Sequence, residues 1–576
     1  MITGSPAFAG DDKRWERNLP VMSGKRAFLD LLKQEGVTVM FGNPGTTELP
    51  LMDAFAVEHD IRYILGLQEA ALMAMADGYA QASGNLAVLN LHVAPGLGNA
   101  MGMLYDAMKA NAPVLVTAGQ QDLEYLVTEP VLSADLPTLA RPFVKWAAEV
   151  HRAEDLPRYV HRAVKTALAP PAGPVFLALP GDILKSDADM DLLEPTRVAP
   201  RVRGDAEAVA TAAALLARAE RPVIIAGDAV AQSRAHKELI ALAEAVAAPV
   251  YVEFIPNTAS FPASHPLYRG SMTRTQTGVR DVLDKHDLVF SVGGDLFTWS
   301  LPSPVDPWPA GLELIHLDTD PWQIGKNYPA QVGILGDPKA TLPDITAAVG
   351  ARMSAGAKNA AAARLKSLTE TIKKDRDAFR AKARSLAGKT PVQPLALLEA
   401  IGAMLPKDAV VFEEILSSAP GARSLINSND EQSFYGLRGG GIGWGLPAAI
   451  GAKVALPDRP VVALIGDGSA MYTVQALWTA AHDRIPVVWV IFNNTSYRIL
   501  KQRLVMLRGL AEQADKFVGM ELNNPAIDFV GLARSLGVAA EHAATERDVT
   551  DLIAKGLASN APLLIEVPTD RNYKPL

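Results

Sequence analysis

Cysteine is absent from all 576 positions, which excludes disulfides, zinc-thiolate centres and a thiol nucleophile together. No apolar run approaches the roughly 20 residues that a membrane-spanning helix needs. The first residues also lack a basic segment followed by an apolar core, so the cytoplasm is the default location. Basic stripes are missing as well: Lys and Arg are scattered among acids, the formal net charge is −8, and nothing offers nucleic acid a surface. What remains is a chain long enough for about three ordinary domains and a large buried core.

Residues 461–500 are the most informative stretch. An apolar, β-branched run over 461–465 reads as a buried parallel strand, and it breaks at Gly466-Asp467-Gly468-Ser469 into a helical pattern carrying Leu477 and Trp478. A second buried run, 487–492, ends in Asn493-Asn494. Parallel strands joined by a helix lie side by side and open on the same edge. Asp467 and Asn494 therefore meet although 27 positions separate them. A carboxylate and an amide oxygen there suit a hard, oxygen-preferring ion such as Mg²⁺, which completes its shell with water and phosphate. Gly466 and Gly468 admit a close backbone approach, and the N–H groups near Ser469 and Ala470 face a diphosphate. GDG alone is equally compatible with a plain turn; strand, helix, strand and NN in register favour the metal and anion.

Taken in order, residues 1–21 are polar and aperiodic and read as a disordered extension, with Met22 the expected native start. Residues 22–195 form a first α/β domain, with strands predicted over 37–42, 63–65, 86–91 and 114–118. Residues 196–351 form a second, with strands over 223–226, 250–254, 288–292 and 312–317. No GxGxxG follows a strand there, so the dinucleotide fingerprint is missing. Residues 352–390 read as a solvated helix or linker, and 391–576 as a third domain. The fold class is α/β, three doubly wound parallel-sheet domains. In the first, strand ends carry Thr46, Glu69 and His92, where such sheets bind ligands; as local features, a helix-first-turn acid and a hydrogen-bonded loop histidine remain open for the last two.

The GDG…NN unit resembles the diphosphate-and-metal motif of thiamine-diphosphate (ThDP) enzymes. FGNPGTTELP, ILGLQEA, ADGYAQASG, NLHVAPGLGNAMG, PVLVTAGQQ and RPFVKW together resemble the N-terminal half of the benzoylformate decarboxylase group, and NNTSYRILK is similar to acetolactate-synthase-like proteins. The resemblance runs from about Met22 to the end.

It implies three α/β domains binding the cofactor's pyrimidine, nothing obligatory, and its diphosphate. Asp467, Asn494 and the Ser496 carbonyl match Mg²⁺ ligands. Gly440, Ile442, Gly466, Gly468, Ser469 and Tyr497 match cofactor-binding positions, Gly440 through its carbonyl and Ile442 as the bulky residue that bends the cofactor. Glu69 matches the glutamate that bonds the aminopyrimidine, and Thr46 and His92 match a serine and a histidine that contact substrate. Leu132, Ser300 and Arg503 fall at pocket positions, the last two departing from a second histidine and an aromatic wall. The implied activity is decarboxylation of a 2-oxo acid, with acetolactate-type carboligation the alternative; the retained Glu69, Asp467 and Asn494 weigh against a third reading, a non-catalytic binding protein. Acetohydroxyacid synthases carry FAD in the middle domain, and nothing in this sequence indicates it. The implied assembly is a homo-oligomer, a dimer at the minimum and a tetramer by expectation.

Overall fold

The structure, a computed structural model, describes residues 19–254, 258–300, 303–426 and 428–574. Most of the expected extension, 1–18, lies outside these residues. Its boundary is corrected at the other end: Val21–Ser23 is a strand pairing antiparallel with Asp187–Asp189, so Val21 belongs to the first domain.

Three six-stranded sheets carry the fold, and every neighbouring pair within them is parallel. Each is buried on both faces, which explains the continuous Val/Ile/Leu runs rather than alternation. The first sheet is ordered Arg62–Leu65, Val39–Gly42, Ala87–Leu91, Val114–Gln120, Val175–Pro180, Ala147–Glu149. The middle sheet is ordered Tyr268–Ser271, Val250–Val252, Pro222–Ala226, Leu288–Val292, Glu313–Asp318, Val332–Leu335. The third is Phe434–Gly436, Val410–Glu414, Val461–Gly466, Val488–Asn493, Leu563–Pro568, Ala539–His542. The strands missed from sequence are mostly edge strands or short ones such as Phe434–Gly436, whose apolar signal is weakest.

The helix Ala355–Arg384 is largely exposed, with only Ala361, Ile372 and Ala383 buried, and its arginines strap it to the domains beneath. Arg364 donates to the carbonyls of Val246, Ala247 and Glu220, Arg376 to those of Ser264, His265 and Tyr268, and Arg380 and Arg384 pair with buried Glu399. Among the described residues no helix is long and apolar enough to cross a membrane.

The first and third domains meet through helices Glu69–Ser83 and Gly445–Ala455. A Cβ on Gly78 would stand 2.1 Å from the Ala448 carbonyl, and one on Gly451 would stand 1.8 Å from that of Met75. Only glycine permits this backbone contact. The order of contacts, Met75 over Gly451 and then Gly78 over Ala448, runs the helices antiparallel.

Candidate active site

The βαβ unit forms as expected, with Gly466 opposite Phe492 in parallel register. Asp467 and Asn494 are brought together through Ser496, whose N–H donates to Asp467 Oδ2 (3.2 Å) and whose hydroxyl donates to Asn494 Oδ1 (3.0 Å). All three are buried. Burial pushes the Asp467 carboxyl up to about 6 against the backbone N–H groups that stabilise its charge. No lysine or arginine pairs with it among the described residues. A buried carboxylate with no direct Lys or Arg ion pair, beside an amide oxygen, is a donor set that fits a hard cation. The turn is held by Met520 and Leu522, through Tyr497 N–H to Met520 O (3.0 Å) and Leu522 N–H to Thr495 O (2.8 Å), bonds that do not engage the Ser496 carbonyl. Thr495 sits at φ 52°, the left-handed region.

The two glycines differ. A Cβ on Gly468 would strike the Tyr497 ring at 2.5 Å, whereas one on Gly466 would meet only ordinary contacts, the nearest at 3.5 Å. Within the protein itself, only Gly468 of the two is required by a close neighbour. The helix after GDG is a single turn, Asp467–Ala470, followed by a separate Ala476–His482, and Ser469 directs its hydroxyl to Glu414.

Gly440 takes φ +91° with open space where a Cβ would lie, and the half-buried Ile442 follows. Three carboxyls that the sequence reading missed grip this loop. Asp106 Oδ1 accepts from Gly441 N–H (3.0 Å), Asp77 from Trp444 Nε1 (2.6 Å), and Glu414 from Gly443 N–H (2.6 Å). Burial pushes Asp77 up to about 7, Asp106 to about 8 and Glu414 to about 7. A carboxyl raised in the folded state binds its proton there more tightly than in the unfolded chain, so its contribution is intact at low pH and lost as pH rises. The isosteric Asp106→Asn should therefore gain on the wild type between about pH 4 and pH 8, by up to ~5 kcal/mol, read as a pH-dependent difference in denaturation midpoint. A difference that does not change with pH over that range would show that Asp106 is ionised in the folded protein.

In the first domain Glu69 is buried at the start of its helix, and its Oε2 accepts from Asn99 Nδ2 at 3.0 Å. His92 lies at the end of strand Ala87–Leu91, its Nδ1 2.8 Å from Oε2 of the buried Glu48. Glu48 is fixed in turn by the N–H groups of Gly45 and Gly119 (both 2.9 Å). A carboxylate at Nδ1 sets the tautomer and leaves Nε2 as the acceptor. Val93, immediately after, is held at φ 45°, strain that a β-branched residue tolerates only where its surroundings over-determine it. Thr46 is exposed, and the hydroxyl of its buried neighbour Thr47 lies 3.3 Å from His92 Nδ1. Leu132 packs on the first-domain core at φ 73°, and Ser300 is exposed beside half-buried Trp299 of the middle domain. Among the described residues no hydrogen bond or ion pair joins Leu132 or Ser300 to Glu69 or His92.

Arg503 is half-buried in helix Arg498–Leu507. Although Arg274 is exposed, the protein crowding it lowers its pKa, and the Arg503 guanidinium acts in the same direction against Glu413. The middle domain therefore delivers a second guanidinium toward Arg503, which no local pattern marks.

The middle-sheet crevice, between Pro222–Ala226 and Leu288–Val292 where strand order reverses, is the place an open α/β sheet would take a dinucleotide. Here Asp228 and Asp295 are bridged by Arg438, and Glu253 accepts from the N–H groups of Asp295 and Phe297 (both 3.1 Å). Gly227 and Gly294 are pressed together, with 2.4 Å from a Cβ on the first to the second's Cα. Carboxylates plugged by an arginine do not fit the diphosphate of a flavin.

Three family models match the chain: the thiamine pyrophosphate enzyme N-terminal TPP binding domain over residues 22–135, the central domain over 209–345, and the C-terminal TPP binding domain over 418–567. Benzoylformate decarboxylase of Pseudomonas aeruginosa is 35% identical over 546 residues, covering 94% of this chain and 98% of its own. A probable acetolactate synthase large subunit of Methanocaldococcus jannaschii is 30% identical, covering 95% and 92%. The solved thiamine diphosphate-dependent 4-hydroxybenzoylformate decarboxylase of Rhodococcus jostii RHA1 superposes with a TM-score of 0.82 at 32% identity, covering 96% of this chain and 100% of its own. With its three parallel-sheet domains in that order, the chain belongs to the thiamine-diphosphate-dependent enzymes, in the group that includes benzoylformate decarboxylase and acetolactate synthase.

Proposed function

We propose that the protein decarboxylates a 2-oxo acid smaller or more polar than benzoylformate, using ThDP and Mg²⁺. The observation that carries this is the buried carboxylate of Asp467 converging with Asn494 on Ser496, together with a separate acid–histidine set at Glu69 and His92. When bound, ThDP would supply an electron sink for decarboxylation. Asp467, Asn494 and the Ser496 carbonyl hold the cation, Gly468 lets Tyr497 close over the turn, and the Gly440 loop receives the aminopyrimidine. Glu69, oriented by Asn99, exchanges a proton with the pyrimidine ring. His92, locked by Glu48, presents Nε2 toward substrate to move a proton.

One chain holds only half of each site. The antiparallel helices put Glu69 nine residues before Gly78, about 14 Å along the axis, on the side away from the Gly440 loop. Two chains related by a twofold axis supply the missing halves, so the active unit is at least a dimer.

The substrate preference rests on Arg503 and its neighbour Arg274. An apolar wall would add about 0.5–1.5 kcal/mol of aromatic stacking; a guanidinium forfeits that and instead offers an anionic group a charge-assisted bond of about 1.5–3 kcal/mol. A panel of 2-oxo acids, scored for CO₂ and for carbon–carbon bond formation, should rank a dicarboxylic or otherwise polar substrate above benzoylformate in kcat/KM. Arg503→Phe should reverse that order by roughly tenfold or more. Benzoylformate as the best wild-type substrate would put Arg503 outside the pocket, and carboligation outrunning CO₂ release would favour the acetolactate-synthase reading.

A further inference from the structure

Next to the Asn493-Asn494 turn, three ligating side chains from three elements converge. His542 ends strand Ala539–His542, and its register partner across the parallel pair is Glu566 of strand Leu563–Pro568. Asp528 caps helix Phe529–Ser535 beside them. One ligand atom from each lies within 4.8 Å of the others, and His542 Nδ1 stands 3.1 Å from Glu566 Oε2. That separation is close to the edge of a coordination polyhedron with metal–ligand distances of about 2.1 Å.

Glu566 is only 5% exposed. Its Oε1 accepts from Asn493 Nδ2 at 2.6 Å, while its buried Oε2 accepts no hydrogen bond and faces the other two residues. Asp528 gives one oxygen to Gly531 N–H at 2.7 Å. Asp528 and His542 are both exposed, so each can swing the remaining distance inward. A protonated His542 would satisfy Glu566 but leave two carboxylates converging on one imidazolium that water screens. A divalent ion between them compensates both charges.

We propose that Asp528, His542 and Glu566 form a binding site for a divalent transition cation, Zn²⁺ or Co²⁺ in chemistry. An imidazole nitrogen with two carboxylates suits these ions better than Mg²⁺, and three protein ligands leave open positions for water. Because the Glu566 carboxylate also holds Asn493, an ion here stiffens the turn that carries Asn494.

The test uses protein loaded with ThDP and excess Mg²⁺ and titrated with Co²⁺, whose visible d–d absorption reports coordination. The expected result is one saturable Co²⁺ per chain, whose band His542→Ala abolishes, Asp528→Asn weakens and Asp467→Asn leaves in place. Uptake without saturation, a band unchanged in His542→Ala, or one lost only in Asp467→Asn would overturn the site. The Asp467→Asn arm keeps this outcome separate from any failure of the cofactor reading. Both ligands changed are at the surface, so loss of the band would not reflect unfolding.

Discussion

Asp467→Ala is expected to lose ThDP and Mg²⁺ together while keeping its fold. The carboxylate is 3% exposed and held up to about 6 by burial, so in the cofactor-free protein its charge is a burden rather than a support. Removing it leaves the strand pair intact, since the ladder between Val462 and Gly466 and the facing strand is made by backbone alone. What disappears is the charge that would neutralise the cation. Removing a group that only orients a metal ligand typically weakens affinity about 10–100-fold, and loss of the ligand itself should exceed that. Calorimetry with ThDP and Mg²⁺ decides the matter: undiminished affinity in the variant would remove Asp467 from the site.

Glu69→Ala should behave in the opposite manner, binding the cofactor nearly as well but turning over about 10²–10⁴-fold more slowly. Its carboxyl lies on the first domain, against Asn99 and Gly96, whereas the turn that would hold the diphosphate belongs to the third. Exchange of the cofactor's C2 proton, followed by NMR after an acid quench, should slow with kcat; exchange at the wild-type rate would rule the role out. The two variants also test the shared site when co-expressed. In a hybrid dimer both lesions fall in one site and the other site is intact, so random assortment should restore about a quarter of wild-type activity. A site contained in one chain would recover none.

How much of this could be read in the sequence depended on whether neighbours in space were neighbours in the chain. Asp467 and Asn494 were legible because a βαβ unit dictates that its strand ends meet, and Glu69 and His92 because each follows a strand of the same sheet. Asp106, Asp77 and Arg274 were not. Asp106 comes from the end of one helix and grips a loop 335 positions away, and nothing local distinguishes it from any solvated acid. Glu48 was hidden differently: it is part of the quoted GTTE turn, but its two oxygens are claimed by Gly45 and Gly119, and only tertiary structure shows that the latter lies there. Thr47 was hidden in the same way: within one short turn Thr46 stays exposed while the Thr47 hydroxyl turns inward to His92, and sequence does not say which of two adjacent threonines faces inward.

The glycine contacts between helices Glu69–Ser83 and Gly445–Ala455 have a consequence for engineering. A Cβ at 78 or 451 would intrude to within 2.1 Å and 1.8 Å of a carbonyl oxygen on the opposite helix, so at these two points the seam is matched at backbone level and no side-chain repacking can relieve a mismatch. The first domain is consequently not a cassette. A chimera that imports it from a relative, to graft a different substrate pocket, must bring the 445–455 helix from the same parent, and with it the loop that Asp106 and Asp77 grip. The practical crossover points lie on either side of the middle domain.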